Sequence, residues 1–217
     1  MESKQAAEHL QVIRTLMERS ALYRRALAPI MTFAGLIGIA AAALGVIFQI
    51  KTQTGFVACW MSVAMVGIVG AFLLVRRQAL GSVEPFWTPP ARRVAQALLP
   101  SLFVGLALTL FILTASGFST LVKSGGEHAG KLFWLPGLWA VLYGCALHAA
   151  GFFTSRGLRL FGWVLIGSGL TAIFRLVGWE EMPTWKHTHL LMGFLFGFLH
   201  LGYGIYLYFT ENRNSAP

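Results

Sequence analysis

Two histidines, His148 and His200, are the residues whose type and surroundings could support chemistry inside an apolar environment. Each interrupts a long hydrophobic run, and each has glycines at helical spacing on its own face. Small residues mark the helix faces that pack closely against a neighbour in a membrane. We therefore expect both imidazoles to point into a helical bundle, separated in depth by only about 5 Å at the helical rise per residue.

Three interpretations fit this pair of histidines. Each could make a hydrogen bond between helices, which requires only a neighbouring polar group. The two could instead be the axial ligands of a b-type haem, which needs histidines at similar depth and small residues that admit the macrocycle. Proton or quinone handling is the third interpretation, since ionisable groups at membrane depth are usually functional. The sequence favours the packing role and leaves His148 and His200 as the candidate cofactor-binding residues.

Acidic residues are absent from all the long hydrophobic runs. Proton- and cation-coupled carriers commonly place ionisable groups at membrane depth, where such groups are costly and kept for function. Their absence argues against a carboxylate-based pump or exchanger. Transport of a small solute along backbone carbonyls stays open.

Metal-binding and catalytic motifs receive little support elsewhere in the chain. Six side chains of metal-ligand type lie in two loops, and they are Glu127, His128, Glu180, Glu181, His187 and His189. Their spacing matches no defined transition-metal site, so we predict none. The chain also lacks a phosphate-binding loop, a dinucleotide fingerprint, a His-Glu-x-x-His motif and a Cys-x-x-Cys motif. We therefore predict no catalytic residue and favour a non-enzymatic protein.

The composition indicates which kind of element positions these residues. The chain of 217 residues is 56% hydrophobic and only 12% charged, whereas soluble domains carry about 25% charged residues. A water-facing surface of normal extent cannot be built from so few charges. Cys59 and Cys145 fall in separate apolar runs, where we expect free thiols that pack as small core residues.

The apolar runs predict an all-α membrane bundle of six transmembrane helices. A hydrocarbon core of about 30 Å requires roughly 20 apolar residues per helix. The predicted bundle occupies residues 30–210, between an N-terminal segment at 1–29 and a short tail at 211–217. Its predicted spans are residues 30–50, 55–75, 98–117, 132–153, 158–178 and 189–209.

Lysine and arginine residues set the predicted orientation. With a cytoplasmic N-terminus, twelve of them fall on the cytoplasmic side and five on the opposite side. The positive-inside rule therefore places both termini in the cytoplasm. The net charge of +9 could also suggest nucleic acid, but the basic residues cluster at the ends of the apolar runs. We expect a lipid bilayer as partner and no nucleic acid.

The N-terminal segment has the pattern of an amphipathic helix over residues 4–27. Ile13 and Met17 recur at helical spacing, while Arg14 falls on the other face. Such a helix can lie on the membrane surface, or it can present a docking face to a cytoplasmic partner. The candidate partner-binding residues are Ile13, Arg14, Met17 and Arg19.

Two segments carry a resemblance to known proteins. Residues 13–20 (IRTLMERS) and 136–144 (PGLWAVLYG) are similar to a group of small, uncharacterised bacterial integral membrane proteins. The resemblance covers the whole length, including a histidine in the last span. It implies a six-helix protein of the bacterial inner membrane and no known activity. In layout alone, the chain also resembles six-span membrane anti-sigma factors, which present a cytoplasmic N-terminal segment to a partner.

Taken together, these patterns predict a multi-pass inner-membrane protein with a regulatory or structural role. Its expected protein partner is a cytoplasmic protein that binds the N-terminal helix, or a second copy of the chain. The alternatives are a redox protein that binds haem or quinone at His148 and His200, and a small-solute transporter.

Overall fold

The computed structural model describes residues 26–81, 89–114, 133–177 and 183–213. These residues form helices joined by short turns, and they contain no strand. The helices are α1 (Ala26–Ile47), α2 (Gln53–Gly81), α3 (Pro89–Leu113), α4 (Leu135–Ala150), α5 (Arg156–Val177) and α6, which runs without a break through Trp185–Met192, Gly193–Phe198 and Leu199–Arg213. The all-α prediction is confirmed for this part of the chain.

Five of these helices are long and apolar enough to cross a membrane, and together they indicate a multi-pass membrane protein. The exception is α4, whose 16 residues extend about 24 Å against a hydrocarbon core of about 30 Å. It is shorter than the predicted span 132–153 because turns occupy residues 133–134 and 151–154. In the most apolar stretches of α2 and α3 only 11% of the residues are buried. Most of the apolar side chains of these two helices therefore lie on the outer surface of the bundle.

The connection between α2 and α3 is shorter than residues 76–97, which the predicted spans left between them. Helix α2 continues to Gly81, and α3 already begins at Pro89, nine residues before the predicted start of the span. Prolines oppose a helix in its interior, but in the first turn their missing N–H has no intrahelical partner to lose. Pro89 and Pro90 occupy that first turn, so they start α3 and do not break it. At its other end, α3 stops at Leu113, four residues before the predicted end.

Several predictions concern segments outside the described residues. The amphipathic helix at 4–27 is one of them, apart from its last two positions, and with it the candidate partner-binding residues Ile13, Arg14, Met17 and Arg19. The same holds for the loops that contain Glu127, His128, Glu180 and Glu181, and for the end of the tail at 214–217.

Helices α4 and α5 pack against each other as an antiparallel pair through glycines. A Cβ atom added to Gly144 would lie 2.7 Å from the carbonyl oxygen of Gly162, and a Cβ on Gly162 would lie 2.7 Å from that of Gly144. A second glycine pair lies two turns away. A Cβ on Gly137 would lie 2.7 Å from the carbonyl oxygen of Gly169, and a Cβ on Gly169 would lie 2.6 Å from that of Gly137. Real side chains do not approach backbone this closely, so the two helix backbones touch only because these positions are glycine.

Helix α1 packs antiparallel to α6 in the same way. A Cβ on Gly38 would lie 2.6 Å from the carbonyl oxygen of Phe196, and a Cβ on Gly197 would lie 2.8 Å from the amide nitrogen of Ile39. Gly38 stands in a row of small residues spaced four apart in α1, with Ala34 and Ala42, and such a row lets a neighbouring helix approach closely.

Two clusters of buried side chains fill opposite ends of the bundle. The Phe56 cluster lies where α1 and α3 end and where α2, α4 and α6 begin; its buried members are Ala41, Ala42, Phe56, Val57, Trp60, Ile112, Leu135, Trp139 and Met192. The Phe161 cluster lies at the other end; its buried members are Ala28, Met31, Leu147, Ala150, Leu158, Phe161, Leu165 and Leu207. Each cluster lies beside one deeply buried histidine of α6.

Candidate functional site: the buried histidines of helix α6

The end of α1 exposes a backbone carbonyl to the bundle interior. Gln49 has a φ of 51°, a left-handed conformation that commonly ends helices. The amide of Ile50 then donates to the carbonyl of Gly45 at 3.1 Å, and the amide of Gln49 donates to that of Val46 at 3.2 Å. This pair of bonds satisfies the last carbonyls of the helix. The chain turns away after it, so the carbonyl of Ile50 can accept a hydrogen bond from outside the helix.

His189 supplies that hydrogen bond. Its side chain is 1% exposed, and Nε2 lies 3.2 Å from the carbonyl oxygen of Ile50. The indole Nε1–H of Trp60 donates to the other ring nitrogen, Nδ1, at 3.2 Å. A carbonyl can only accept and an indole N–H can only donate, so the geometry selects the neutral tautomer with its hydrogen on Nε2. Both nitrogens of this imidazole are therefore satisfied by the chain itself.

Gly45 provides the space for this imidazole. A Cβ atom at position 45 would overlap the His189 ring at Nδ1. Gly45 thus serves two purposes, because its carbonyl also accepts the bond from Ile50 that ends α1. Gly45 therefore both accepts the hydrogen bond at the end of α1 and leaves room for the histidine ring.

Phe56 connects His189 to further aromatic rings. The centre of the Phe56 ring lies 5.0 Å from that of His189, 5.6 Å from that of Trp185 and 6.2 Å from that of Trp139. Phe56 is fully buried, and such ring pairs add stability beyond the area they bury. The indole of Trp139 in turn donates to the hydroxyl of Thr109 in α3 at 2.9 Å. The cluster therefore connects α2, α3, α4 and α6.

Helix α6 changes its hydrogen-bond pattern between the two buried histidines. Residues Gly193–Phe198 form a π-helical segment, and the amide of Leu199 donates to the carbonyl of Phe194, five residues back. In a regular α-helix that amide would bond to the carbonyl of Leu195. The π segment therefore frees Leu195 O from its usual partner. Irregular turns of this kind occur often at functional sites.

His200 contacts the carbonyl that the π segment frees. Its side chain is 2% exposed, and Nδ1 lies 3.3 Å from Leu195 O, so Nδ1–H donates. Nε2 lies 3.4 Å from the hydroxyl oxygen of Tyr143, and in the neutral ring it accepts from that hydroxyl. The Tyr143 ring stacks on the imidazole at 5.5 Å, and Phe161 meets it edge-on at 5.0 Å. Both nitrogens of His200 are again satisfied, in the tautomer opposite to that of His189.

His148 faces a different part of the structure. It is half-buried, and Nδ1 lies 3.4 Å from the carbonyl oxygen of Arg159, at the α4/α5 interface. Its ring meets Phe152 and Trp163 edge-on, each at 5.3 Å. None of these residues is among the ring or hydrogen-bond contacts of His200. The two imidazoles therefore share no hydrogen-bond or ring partner, and a haem held between His148 and His200 stays a prediction.

The histidines at the start of α6 also point to different places. The backbone amide of Thr184 donates to Nδ1 of His187 at 3.3 Å, and His187 stays exposed at the first turn. His189, two residues later, is buried. Among the described residues, no group of three or more His, Cys, Asp or Glu side chains could hold a metal ion.

Three members of this site, His189, Trp60 and Tyr143, were not identified from the sequence. His189 was considered only as a side chain of metal-ligand type at the edge of the apolar run, and Trp60 was not considered at all. A usable signal was present in the glycines, since Gly45 and Gly193 mark positions where α1 and α6 approach closely. Tyr143 carried no comparable signal, because its contact depends on how α4 is rotated against α6.

Comparison of the chain with protein-family models, with curated proteins and with solved structures finds no match. The resemblance of residues 13–20 and 136–144 to bacterial membrane proteins therefore has no further support. Conclusions about function depend on the geometry of the chain itself.

Proposed function

We propose that this chain is a non-enzymatic membrane protein of the bacterial inner membrane, with a regulatory or structural role and a cytoplasmic N-terminal helix that binds a partner. The proposal of a non-enzymatic protein is carried by the hydrogen bonds of the two most deeply buried histidines. All four ring nitrogens of His189 and His200 contact polar groups of the same chain. Neither His189 nor His200 therefore has a ring nitrogen without a partner that could bind a metal or a haem iron.

These contacts favour a role in helix packing. His189 connects α6 to the end of α1 and to Trp60 of α2, and His200 connects α6 to Tyr143 of α4. Hydrogen bonds between helices stabilise a bundle where lipid supplies no polar partner. The histidines therefore act as fixed points at which α6 is held against three other helices.

Six spans with both termini in the cytoplasm remain the best topology. Helix α4 is short, but its antiparallel glycine contacts with α5 place it inside the bundle, and apolar residues Phe133 and Trp134 precede it. Basic residues support the orientation. In the described chain one end of the bundle carries Arg76, Arg77, Arg92, Arg93, Arg156 and Arg159, and the other end carries Lys51, Arg175 and Lys186.

An absorption spectrum tests the packing role against the redox alternative. The full chain is purified from cells supplied with haem, beside the variants His148→Ala and His200→Ala. We expect no Soret band in any of the three proteins. A Soret band that disappears in His200→Ala would overturn the packing role.

A capture experiment tests the N-terminal helix. Full-length protein and the double variant Ile13→Asp/Met17→Asp are cross-linked in membranes, and captured proteins are compared, with Gln11→Asp as the control on the polar face. We expect the double variant to lose one or more partners that the control keeps. Identical partners in all three would exclude residues 4–27 as the docking element.

A further inference from the structure

Arg159 lies one turn into α5 with an unsatisfied guanidinium nitrogen. Its Nε is buried and makes no hydrogen bond with any described residue. The guanidinium carbon lies 4.9 Å from the centre of the Phe152 ring, close enough for a cation–π contact. The side chain is thus held over an aromatic face while part of its donor capacity is unused.

His148 positions this arrangement. Its Nδ1–H donates to the backbone carbonyl of Arg159, and its ring meets both Phe152 and Trp163 edge-on. Phe152 and Trp163 are 63% and 58% exposed, so the group opens onto the outer surface of the bundle. The four residues His148, Phe152, Arg159 and Trp163 are called the Arg159 site below.

No negative charge from the described part of the chain neutralises this arginine. The sequence contains no aspartate, and its glutamates are Glu2, Glu8, Glu18, Glu84, Glu127, Glu180, Glu181 and Glu211. None of these glutamates has a described side chain. The positive charge of Arg159 therefore calls for an anion from outside the described bundle.

The position of the site indicates where that anion comes from. Arg159 is about 5 Å from the start of α5, at the rise of a helix. In a membrane-spanning bundle this is the depth at which aromatic rings and long basic side chains meet the lipid headgroups. The exposed rings of Phe152 and Trp163 then face the upper acyl chains.

We propose that the Arg159 site binds the headgroup of an anionic phospholipid, with the guanidinium on the phosphate and the two aromatic rings against the glycerol and upper acyl chains. A guanidinium presents a planar fork of donors that matches phosphate oxygens. Because Nε is buried and the Arg159 side chain as a whole is only partly buried, the phosphate would contact the terminal nitrogens of the fork. Basic pockets between spans bind anionic headgroups by the same chemistry. The proposal requires that the helices span a bilayer, but it does not depend on the regulatory role or on the N-terminal helix.

Lipid retention measured by native mass spectrometry tests the site. Full-length protein is released from nanodiscs that contain phosphatidylcholine with one-fifth phosphatidylglycerol, and the bound lipids are counted. The test variant is Arg159→Gln. The control is Arg156→Gln, which removes the same charge from an exposed arginine on the same turn of α5.

We expect the wild type and Arg156→Gln to retain phosphatidylglycerol preferentially, and we expect Arg159→Gln to reduce that preference about fivefold. Arg159→Lys keeps the charge and should retain part of the preference, which shows that the loss is not a folding defect. Equal retention in Arg159→Gln and Arg156→Gln would overturn the proposal. Displacement of the lipid by inorganic phosphate in excess would also overturn it, because the site would then hold a free anion.

Discussion

His189 and His200 lie eleven residues apart on one helix, and both are almost fully buried. The chain nevertheless holds them in opposite tautomers. His189 donates from Nε2 to the carbonyl of Ile50 and accepts from an indole, whereas His200 donates from Nδ1 to the carbonyl of Leu195 and accepts from a phenol. In both cases the accepting carbonyl lies outside the regular helical ladder.

The cause of that irregularity differs between the two regions. At the Phe56 cluster, the left-handed Gln49 ends α1 and releases the carbonyl of Ile50. Beside the Phe161 cluster, the π segment of α6 shifts one amide and releases the carbonyl of Leu195. In both regions a buried imidazole is satisfied by a carbonyl outside the regular helical hydrogen bonds together with one aromatic donor. Each of the following changes removes one part of that arrangement.

Removal of the His189 imidazole should have the largest effect. His189→Leu leaves the buried Trp60 indole N–H and the part-buried Ile50 carbonyl without partners. Since an unsatisfied buried group costs about 1–3 kcal/mol, we expect a loss of roughly 2–5 kcal/mol in the free energy of unfolding, less than twice the upper value because the carbonyl is only part-buried. Denaturant titration in mixed micelles measures this loss. The exposed His187→Leu is the control, and equal losses in both variants would contradict the role assigned to His189.

A methyl group at position 45 should have the next largest effect. Gly45→Ala places a Cβ against the His189 ring, and overpacking of this kind costs about 1–3 kcal/mol. Gly202→Ala is the matched control, because nothing lies within 4 Å of a Cβ at that position of α6. Thermal unfolding in detergent should separate the two variants. A Gly45→Ala protein as stable as the control would show that α1 does not approach His189 this closely.

Loss of the indole donor should cost less. Trp60→Phe keeps a ring in the cluster but leaves Nδ1 of His189 without its donor, which we expect to destabilise the protein by about 1–2 kcal/mol. Trp163→Phe changes an indole that is 58% exposed and should leave the unfolding midpoint nearly unchanged. Equal unfolding midpoints in the two tryptophan variants would contradict the hydrogen bond from Trp60 to His189.

The smallest effect is expected at Tyr143. Tyr143→Phe retains the stacked ring and removes only the hydroxyl that donates to His200 across 3.4 Å, a long bond. We expect a loss of about 0.5–1.5 kcal/mol, measured in the same denaturant titration as for Trp60→Phe. If Tyr143→Phe proves more destabilising than Trp60→Phe, the relative importance of the two histidine sites is reversed.

The sequence allowed the general architecture to be predicted but not this arrangement of hydrogen bonds. Apolar runs of sufficient length predicted the helical class, and Gly38 is the kind of small residue that marks a close neighbouring helix. The tautomers depend on a positive φ at Gln49 and on the π segment at Gly193–Phe198. Both are local departures from the helical period, and neither is encoded by a residue type that demands it.

The same reason explains how the histidines were interpreted. His148 and His200 were considered together because they share a predicted depth, yet depth does not specify the direction around each helix. Tyr143 and His148 are five residues apart on α4, which separates them by about 140° at 3.6 residues per turn. Helix α4 therefore presents Tyr143 to His200 and turns His148 toward α5.

Nitrogen-15 solid-state NMR of histidine-labelled protein in lipid is the most direct test of the central claim, with signals assigned through His189→Leu and His200→Ala. We predict that His189 and His200 are both neutral at neutral pH, with the ring hydrogen on Nε2 in His189 and on Nδ1 in His200. Identical tautomers, or a signal from either residue that shows a doubly protonated or metal-bound ring, would contradict the claim that the chain itself satisfies both histidines.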